Sequence, residues 1–168
     1  MMAGGGWEWV ERVNATGAAV IAAVTDDRRL VLVEQYRVPM GQRVIDLPAG
    51  LVGDEPGGAE EPMIEAARRE LLEETGYEAD RLDCVVSGPA SPGLTTEVYT
   101  LFLARGVRRV GLGGGVANEK IQVHVIPLTE IDGWLDRQRD GGAMIDPKIY
   151  LGLYFLAKTS TAAGGETQ

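Results

Sequence analysis

The chain has one cysteine, one histidine, two phenylalanines and no long apolar run, and each scarcity removes a class of explanation. Cys84 alone cannot close an internal disulfide; with no partner signature around it, it reads as a small buried apolar residue. His124 alone cannot build a zinc centre, and its place between Val123 and Val125 on an expected strand makes it structural. No stretch approaches the roughly 18–20 apolar residues that cross a bilayer. The opening MMAGGGWEWV has neither the basic region nor the apolar core of a secretory signal, so a cytoplasmic protein is expected. Lys and Arg number 16 against 25 Asp and Glu, a formal charge of −9 that argues against attachment to nucleic acid or to an anionic membrane. The basic spot Arg105, Arg108 and Arg109 is too short to reverse that.

What is present is an ordinary globular composition, 45% hydrophobic and 24% charged over 168 residues, enough for one domain with a real core. We expect that domain to span residues 7–158, with a disordered start at 1–6 and a flexible tail at 159–168. AAVIAAV and LVLVEQY, separated by TDDRR, read as a strand hairpin, and RVIDLPAG as a strand stopped by Pro48 and Gly50. Pro62 to Thr75 reads as a helix: Pro62 in its first turn, Ile64, Ala67 and Leu71 as the apolar stripe, Gly76 just past the end. LDCVVSG, EVYTLFLA and IQVHVIPL add three strands, the last two separated by the glycine-rich RGVRRVGLGGGVANEK. A helix near Thr129 carries Ile131, Trp134 and Leu135, and another is capped by Asp146 with Pro147 at its first position. The irregular alternation suggests a mixed sheet with helices on its faces.

The helix at 62–75 carries the most specific signal. At about 100° per residue, Glu70, Glu73 and Glu74 fall on one broad face with Arg69 beside it, while Leu72 points away. Like charges so placed repel and raise one another's proton affinity. A solvated surface is the bland explanation; a site for a hard divalent cation, which prefers oxygen ligands, is the sharper one.

The residues around the cluster favour the second. Glu61, then seven residues, Arg69, Glu70, Leu71, Leu72, Glu73, Glu74, Thr75, Gly76 and Tyr77 resemble the signature of the Nudix hydrolases, G-x5-E-x7-R-E-U-x-E-E-x-G-U. Gly50 and Glu61 are separated by ten residues rather than five, a five-residue loop insertion that is expected to leave the carboxylates in place; Glu55 competes with Glu61 for its role. The resemblance implies an α/β/α sandwich with a mixed central sheet. It also implies hydrolysis of a nucleoside diphosphate linked to another group, with Arg69 and Glu73 in the catalytic set. Mg²⁺, or Mn²⁺ in its place, would be held by Glu70, Glu73, Glu74 and the Ala49 carbonyl, lowering the pKa of bound water and offsetting charge at phosphorus.

WEWVER, VEQYRVPMG, DLPAG and SPGLTTE resemble the ADP-ribose pyrophosphatase branch of that family, and the likeness runs from about Trp7 to Tyr154. Pro92, fifteen residues after Tyr77, matches the branch's substrate marker, which implies ADP-ribose as substrate. GDP-mannose or another nucleotide sugar, and a non-catalytic ADP-ribose sensor, remain as alternatives. Arg37 suits a diphosphate or sugar, Trp7 an adenine ring, and the turn of Pro92, Gly93 and Leu94 a ribose. The resemblance places the general base on a loop before a late strand: Glu119 first, Glu97 second. It also implies a homodimer whose amino-terminal strands help to shape the base pocket.

Overall fold

The computed structural model describes residues 1–54, 60–115 and 120–163, with side chains to residue 159. Its elements are β1 (Met2–Gly4), β2 (Trp7–Trp9), β3 (Gly17–Thr25), β4 (Arg29–Arg37), a 3-10 turn (Val38–Met40), β5 (Gln42–Asp46), β6 (Ala49–Val52), α1 (Met63–Thr75), β7 (Tyr77–Pro89), β8 (Val98–Arg109), β9 (Gln122–Pro127), α2 (Ile131–Asp140), β10 (Met144–Ile145) and α3 (Lys148–Ala163).

The organising strand is β3. Its side chains alternate across the sheet, as strand geometry requires. Ala19, Ile21 and Ala23 join the core under α1, whereas Val20 and Ala22 join the opposite core with Ile131 and Leu135 of α2 and Ile149 of α3. The result is a sheet with α1 on one face and α2 and α3 on the other, the expected α/β/α sandwich. Fully buried Leu and Ile side chains such as Ile21, Leu32 and Leu101 each stabilise it by about 1.5–3 kcal/mol relative to exposure. The sheet is mixed: β3 runs parallel to β8 and antiparallel to β4 and β6, and the path β10–β5–β4–β3–β8–β7 carries β6 and β9 as branches. Branching follows from β3 and β4 diverging after two paired positions at their turn, which frees that edge of β3 for β6 and that edge of β4 for β5, while β9 takes the opposite edge of β4.

Several expectations change. Pro48 does not end the chain's strand run, because Ala49 begins β6 and pairs with Val20. Tyr77–Pro89 and Val98–Arg109 are longer strands than the sequence suggested, so the first residues of the glycine-rich stretch are strand. Cys84 is exposed; Leu82 takes the inward position, and a register shift follows between Cys84 and Val86. Ile64 is 36% exposed, and α1 turns Ala66, Ala67 and Leu71 inward instead. Met2–Gly4 pairs with Trp7–Trp9, and α3 runs past residue 158 to Ala163. His124 is structural as read, its Nε2 2.8 Å from Glu34 Oε2 and its ring 5.0 Å from that of Trp134. Among the described residues no helix is long and apolar enough to cross a membrane.

Candidate active site

The helix that carries the carboxylates starts and stops where its sequence dictates. The Pro62 carbonyl accepts from Glu65 and Ala66 at 2.9 and 3.1 Å, and Gly76 closes α1 at φ 73, a left-handed conformation that favours glycine. Between them Arg69 is the hub. Its Nε and Nη2 donate to Glu61 at 3.1 and 3.3 Å, Nη1 donates to Glu70 at 2.7 Å and Glu73 at 3.2 Å, and Nη2 reaches the Leu51 carbonyl at 3.2 Å. Glu61 thus meets Arg69 despite the insertion before it, and Arg69 in turn holds the Glu61 carboxyl below its ordinary pKa. Glu55, the competitor, lies outside the described residues.

The glutamate face is not a solvated one. Glu70 is 9% exposed and Glu74 5%. Burial pushes the Glu70 carboxyl up to about 7, against the pull of Arg69, as expected where the charged form loses its hydration. Gly50 explains how the carboxylate fits: a Cβ there would lie well inside 3.0 Å of all three terminal atoms of Glu70. Glu74 Oε2 accepts the Ala49 amide at 2.9 Å, so the glutamate helix and the Ala49–Gly50 backbone are locked together.

This donor set suits a hard cation. Asp54, Glu61, Glu70 and Glu73 share the Arg69 guanidinium as counter-ion, and Glu74 lies one turn beyond Glu70 on the same helix; excess carboxylate in a poorly hydrated wall is what Mg²⁺ or Mn²⁺ relieves. Among the described residues no three acidic, histidine or cysteine side chains converge on one point. The reason is visible: Arg69 draws Glu70 and Glu73 to itself and the Ala49 amide holds Glu74. The fit is therefore one of chemistry and burial rather than of ready-made geometry.

Beside the helix opens a cavity of about 650 Å³, within the range that takes nucleotide-sized ligands. Of the residues expected in the site, it brings together Arg37, Ala49, Glu70, Glu74 and Glu97. Glu73 and Arg69 back this wall from the helix. Arg37, at the end of β4, makes no side-chain hydrogen bond or ion pair among the described residues. Glu97 is ion-paired to Arg12, and the amino-terminal segment is further tied to the β7–β8 loop by Val10 N to Leu94 O at 2.8 Å. Trp7 is 62% exposed and Leu94 58%; neither they nor Pro92 and Gly93 line this cavity.

Glu119 lies outside the described residues, but its flanks are placed. Gly114 and Gly115 donate backbone N–H to the carbonyls of Glu74 and Glu73 at 2.8 and 3.0 Å, and Ile121 N donates to Gly114 O at 3.3 Å. The glycine-rich stretch thus satisfies carbonyls at the carboxyl end of α1, which the helix itself leaves without partners. Gly113 must be glycine for this: its φ is +68, and a Cβ would clash with the Thr75 and Gly76 backbone.

Sequence reasoning missed Arg12, and missed a charged triad in the lining of the same cavity. Asp46, 6% exposed, accepts the Leu47 amide at 2.7 Å and pairs with Lys148 Nζ at 2.9 Å. Lys148 also pairs with Asp146 at 2.6 Å. Burial raises Asp46 to about 6, with Lys148 opposing; burial acts against the Lys148 ammonium, but Asp46 and Asp146 outweigh it and raise its pKa. The available signal was an aspartate in the otherwise apolar VIDL and a lysine directly after a capping Asp-Pro.

The chain is 36% identical over 119 residues to the methanol dehydrogenase activator of Bacillus methanolicus, covering 71% of this chain and 61% of that protein. It is 41% identical over 110 residues to the ADP-ribose pyrophosphatase of Mycobacterium tuberculosis, 66% and 51% of the two chains. It is 35% identical over 152 residues to the GDP-mannose pyrophosphatase of Cronobacter sakazakii, 85% and 74%. A crystal structure of an ADP compounds hydrolase superposes with a TM-score of 0.65 at 24% identity, covering 90% of this chain and 75% of that one, and so supports the fold. The chain spans 61%, 48% and 51% of the length of the first curated relatives it matches. The NUDIX domain profile matches residues 15–148, which contain the whole of the glutamate helix and the triad of Asp46, Asp146 and Lys148, and the chain belongs to the NUDIX domain family.

Proposed function

We propose that this protein hydrolyses the diphosphate linkage of a nucleoside diphosphate sugar, with ADP-ribose as the preferred substrate and AMP and ribose 5-phosphate as products. The observation that carries this is one cavity wall holding Glu70 and Glu74, both buried, with Arg37 and Arg12 facing the same space: a seat for a divalent cation next to guanidinium groups that suit phosphate oxygens. Mg²⁺, or Mn²⁺, held by Glu70, Glu73, Glu74 and the Ala49 carbonyl would screen the diphosphate and acidify the attacking water. Arg69 keeps Glu70 and Glu73 at fixed positions through its fork, and Arg37 binds the diphosphate. Water attacks one phosphorus, the bridging oxygen leaves, and a loop carboxylate accepts the proton. Glu119 is the first choice for that carboxylate because Gly114 and Gly115, before its segment, are tied to the Glu74 and Glu73 carbonyls of α1, and Ile121, after it, is tied to Gly114; Glu97, in the cavity wall, is the second.

Pro92 and the ADP-ribose pyrophosphatase relatives support ADP-ribose. The longer match to a GDP-mannose pyrophosphatase supports GDP-mannose as the second reading. The exposed Met2, Trp7 and Val13 of the amino-terminal segment support a homodimer in which that segment covers a second copy and Trp7 stacks on the base. The test is a substrate panel with Mg²⁺: ADP-ribose, GDP-mannose, UDP-glucose, NADH and diadenosine polyphosphates, scored for products that release phosphate with phosphatase. Fastest turnover of ADP-ribose is expected. Strong turnover of GDP-mannose with none of ADP-ribose rejects the preference, and binding of ADP-ribose without turnover would identify a sensor. Light scattering at the mass of an 18.0 kDa monomer would reject the dimer.

A further inference from the structure

We infer that the triad of Asp46, Asp146 and Lys148 forms the sugar-recognition end of the cavity, with Lys148 and Asp146 contacting vicinal hydroxyls of the group attached to the nucleoside diphosphate. The inference rests on the nucleoside diphosphate sugar reading above. Asp46, Asp146 and Lys148 line the same cavity as Glu70 and Glu74 but come from β5 and the start of α3 rather than from the glutamate helix.

The chemistry of the triad selects its ligand. Two carboxylates around one ammonium leave a net negative charge, which repels phosphate and favours a neutral donor–acceptor group. An ammonium has three N–H donors; Lys148 gives one each to Asp46 and Asp146, which leaves one for a ligand oxygen. Each Asp146 carboxylate oxygen already accepts one hydrogen bond, Oδ1 from the Lys148 amide at 2.9 Å and Oδ2 from Lys148 Nζ, and each keeps a further lone pair for a hydroxyl. A sugar diol offers the matching pair, one oxygen to accept and one O–H to donate. Lys148 and Asp146 retain 23% and 24% side-chain exposure, whereas Asp46 keeps 9% and serves as the counter-ion behind them.

The triad is also held rigidly, which recognition of two adjacent hydroxyls requires. α3 approaches the sheet so closely at Gly152 that a Cβ would lie 3.0 Å from Leu47 Cδ1 and 3.2 Å from Ala22 Cβ. Asp146 N donates to Ile45 O at 2.9 Å, and Asp46 fixes the Leu47 amide. Arg37, unpaired among the described residues and on the same cavity wall, then takes the diphosphate and leaves the sugar to the triad.

The experiment measures calorimetric binding, with Mg²⁺, of two non-hydrolysable ligands: ADP-ribose with a methylene in place of the bridging oxygen, and the matching methylene ADP, which lacks the terminal sugar. Asp146→Asn keeps the side-chain oxygen that caps α3, and Lys148→Gln tests the ammonium; melting curves verify that both fold. Each variant is expected to weaken the sugar-bearing ligand by roughly tenfold or more while leaving methylene ADP within about twofold, because one charged hydrogen bond to the sugar is lost. An equal effect on both ligands, or none on either, in the variant that folds overturns the assignment. Failure of the wild type to hydrolyse any nucleoside diphosphate sugar overturns the parent reading and this one with it; wild-type turnover with unaltered ligand preference in Asp146→Asn overturns this inference alone.

Discussion

Gly50→Ala isolates the placement of one carboxylate from everything else in the site. Gly50 is paired to Ala19 in the β3–β6 register and has no positive φ, so alanine suits its backbone. The whole effect falls on Glu70, whose three terminal atoms lie where the new methyl must go. Restoring ordinary carbon contact near 3.5 Å requires the carboxylate to retreat by roughly 1.5 Å. Because the obstacle is the end of a flexible side chain rather than backbone, the fold should survive at an overpacking cost of about 1–3 kcal/mol. That corresponds to a Tm lower by about 2–4 °C per kcal/mol for a chain of this size. Function should suffer more, since misplacing a reacting group by about 1 Å costs on the order of a hundredfold in rate. Melting curves and steady-state turnover of ADP-ribose across a Mg²⁺ titration measure both effects. A variant with wild-type turnover and wild-type Mg²⁺ dependence refutes the claim that Glu70 must sit against Gly50 for the site to work.

Three further outcomes follow from the same geometry. Glu74→Gln should keep the fold, because an amide oxygen still accepts from Ala49 N, while turnover drops by about two orders of magnitude or more; an unchanged rate removes Glu74 from the mechanism. Gly113→Ala forces a methyl into the Thr75–Gly76 backbone at φ +68 and should destabilise by about 2–3 kcal/mol, seen as a lowered denaturation midpoint; no shift would show that the clamp on α1 is dispensable. The pH dependence is set by Glu70, whose carboxyl rises from 4.5 to about 7 on folding. The folded state then holds the proton more tightly, so this group's stabilisation is full below pH 4.5 and is lost as pH climbs through about 7, on the order of 3 kcal/mol. A cation competes with that proton, so the Mg²⁺-induced rise in Tm should be small at about pH 5.5 and larger at about pH 8. Equal Mg²⁺ effects at both pH values, or the same pH trend in Glu70→Gln, would contradict it.

The helix was legible because its signals are local: Pro62 and Gly76 bound it, and a period of 3.6 residues puts Glu70 and Glu74 one turn apart on the face that turns inward. Arg69 was readable as a partner of Glu73 for the same reason. What escaped depends on distant contacts. The Pro48–Gly50 turn reads as a stop, and only the pairing of Ala49 with Val20 makes it a strand. The two-residue β10 exists through Val44 and Ile45, and neither residue announces it. Cys84 reads as buried, yet it is exposed although it shares a strand face with buried Leu82, because how far the core extends along β7 is not a local signal. Asp46 and Lys148 lie 102 positions apart and look like isolated charges until α3 docks on β5. Conversely, Trp7 and the turn of Pro92 to Leu94 carry family likeness, but their distance from the cavity could not be read from spacing.

The most direct test of the central claim is an anomalous difference map from crystals grown with Mn²⁺ and methylene ADP-ribose. A peak within about 2.0–2.3 Å of Glu70, Glu73 or Glu74 carboxylate oxygens, shared with the diphosphate, is expected. Nucleotide density in the cavity with no manganese peak beside α1 would contradict the account.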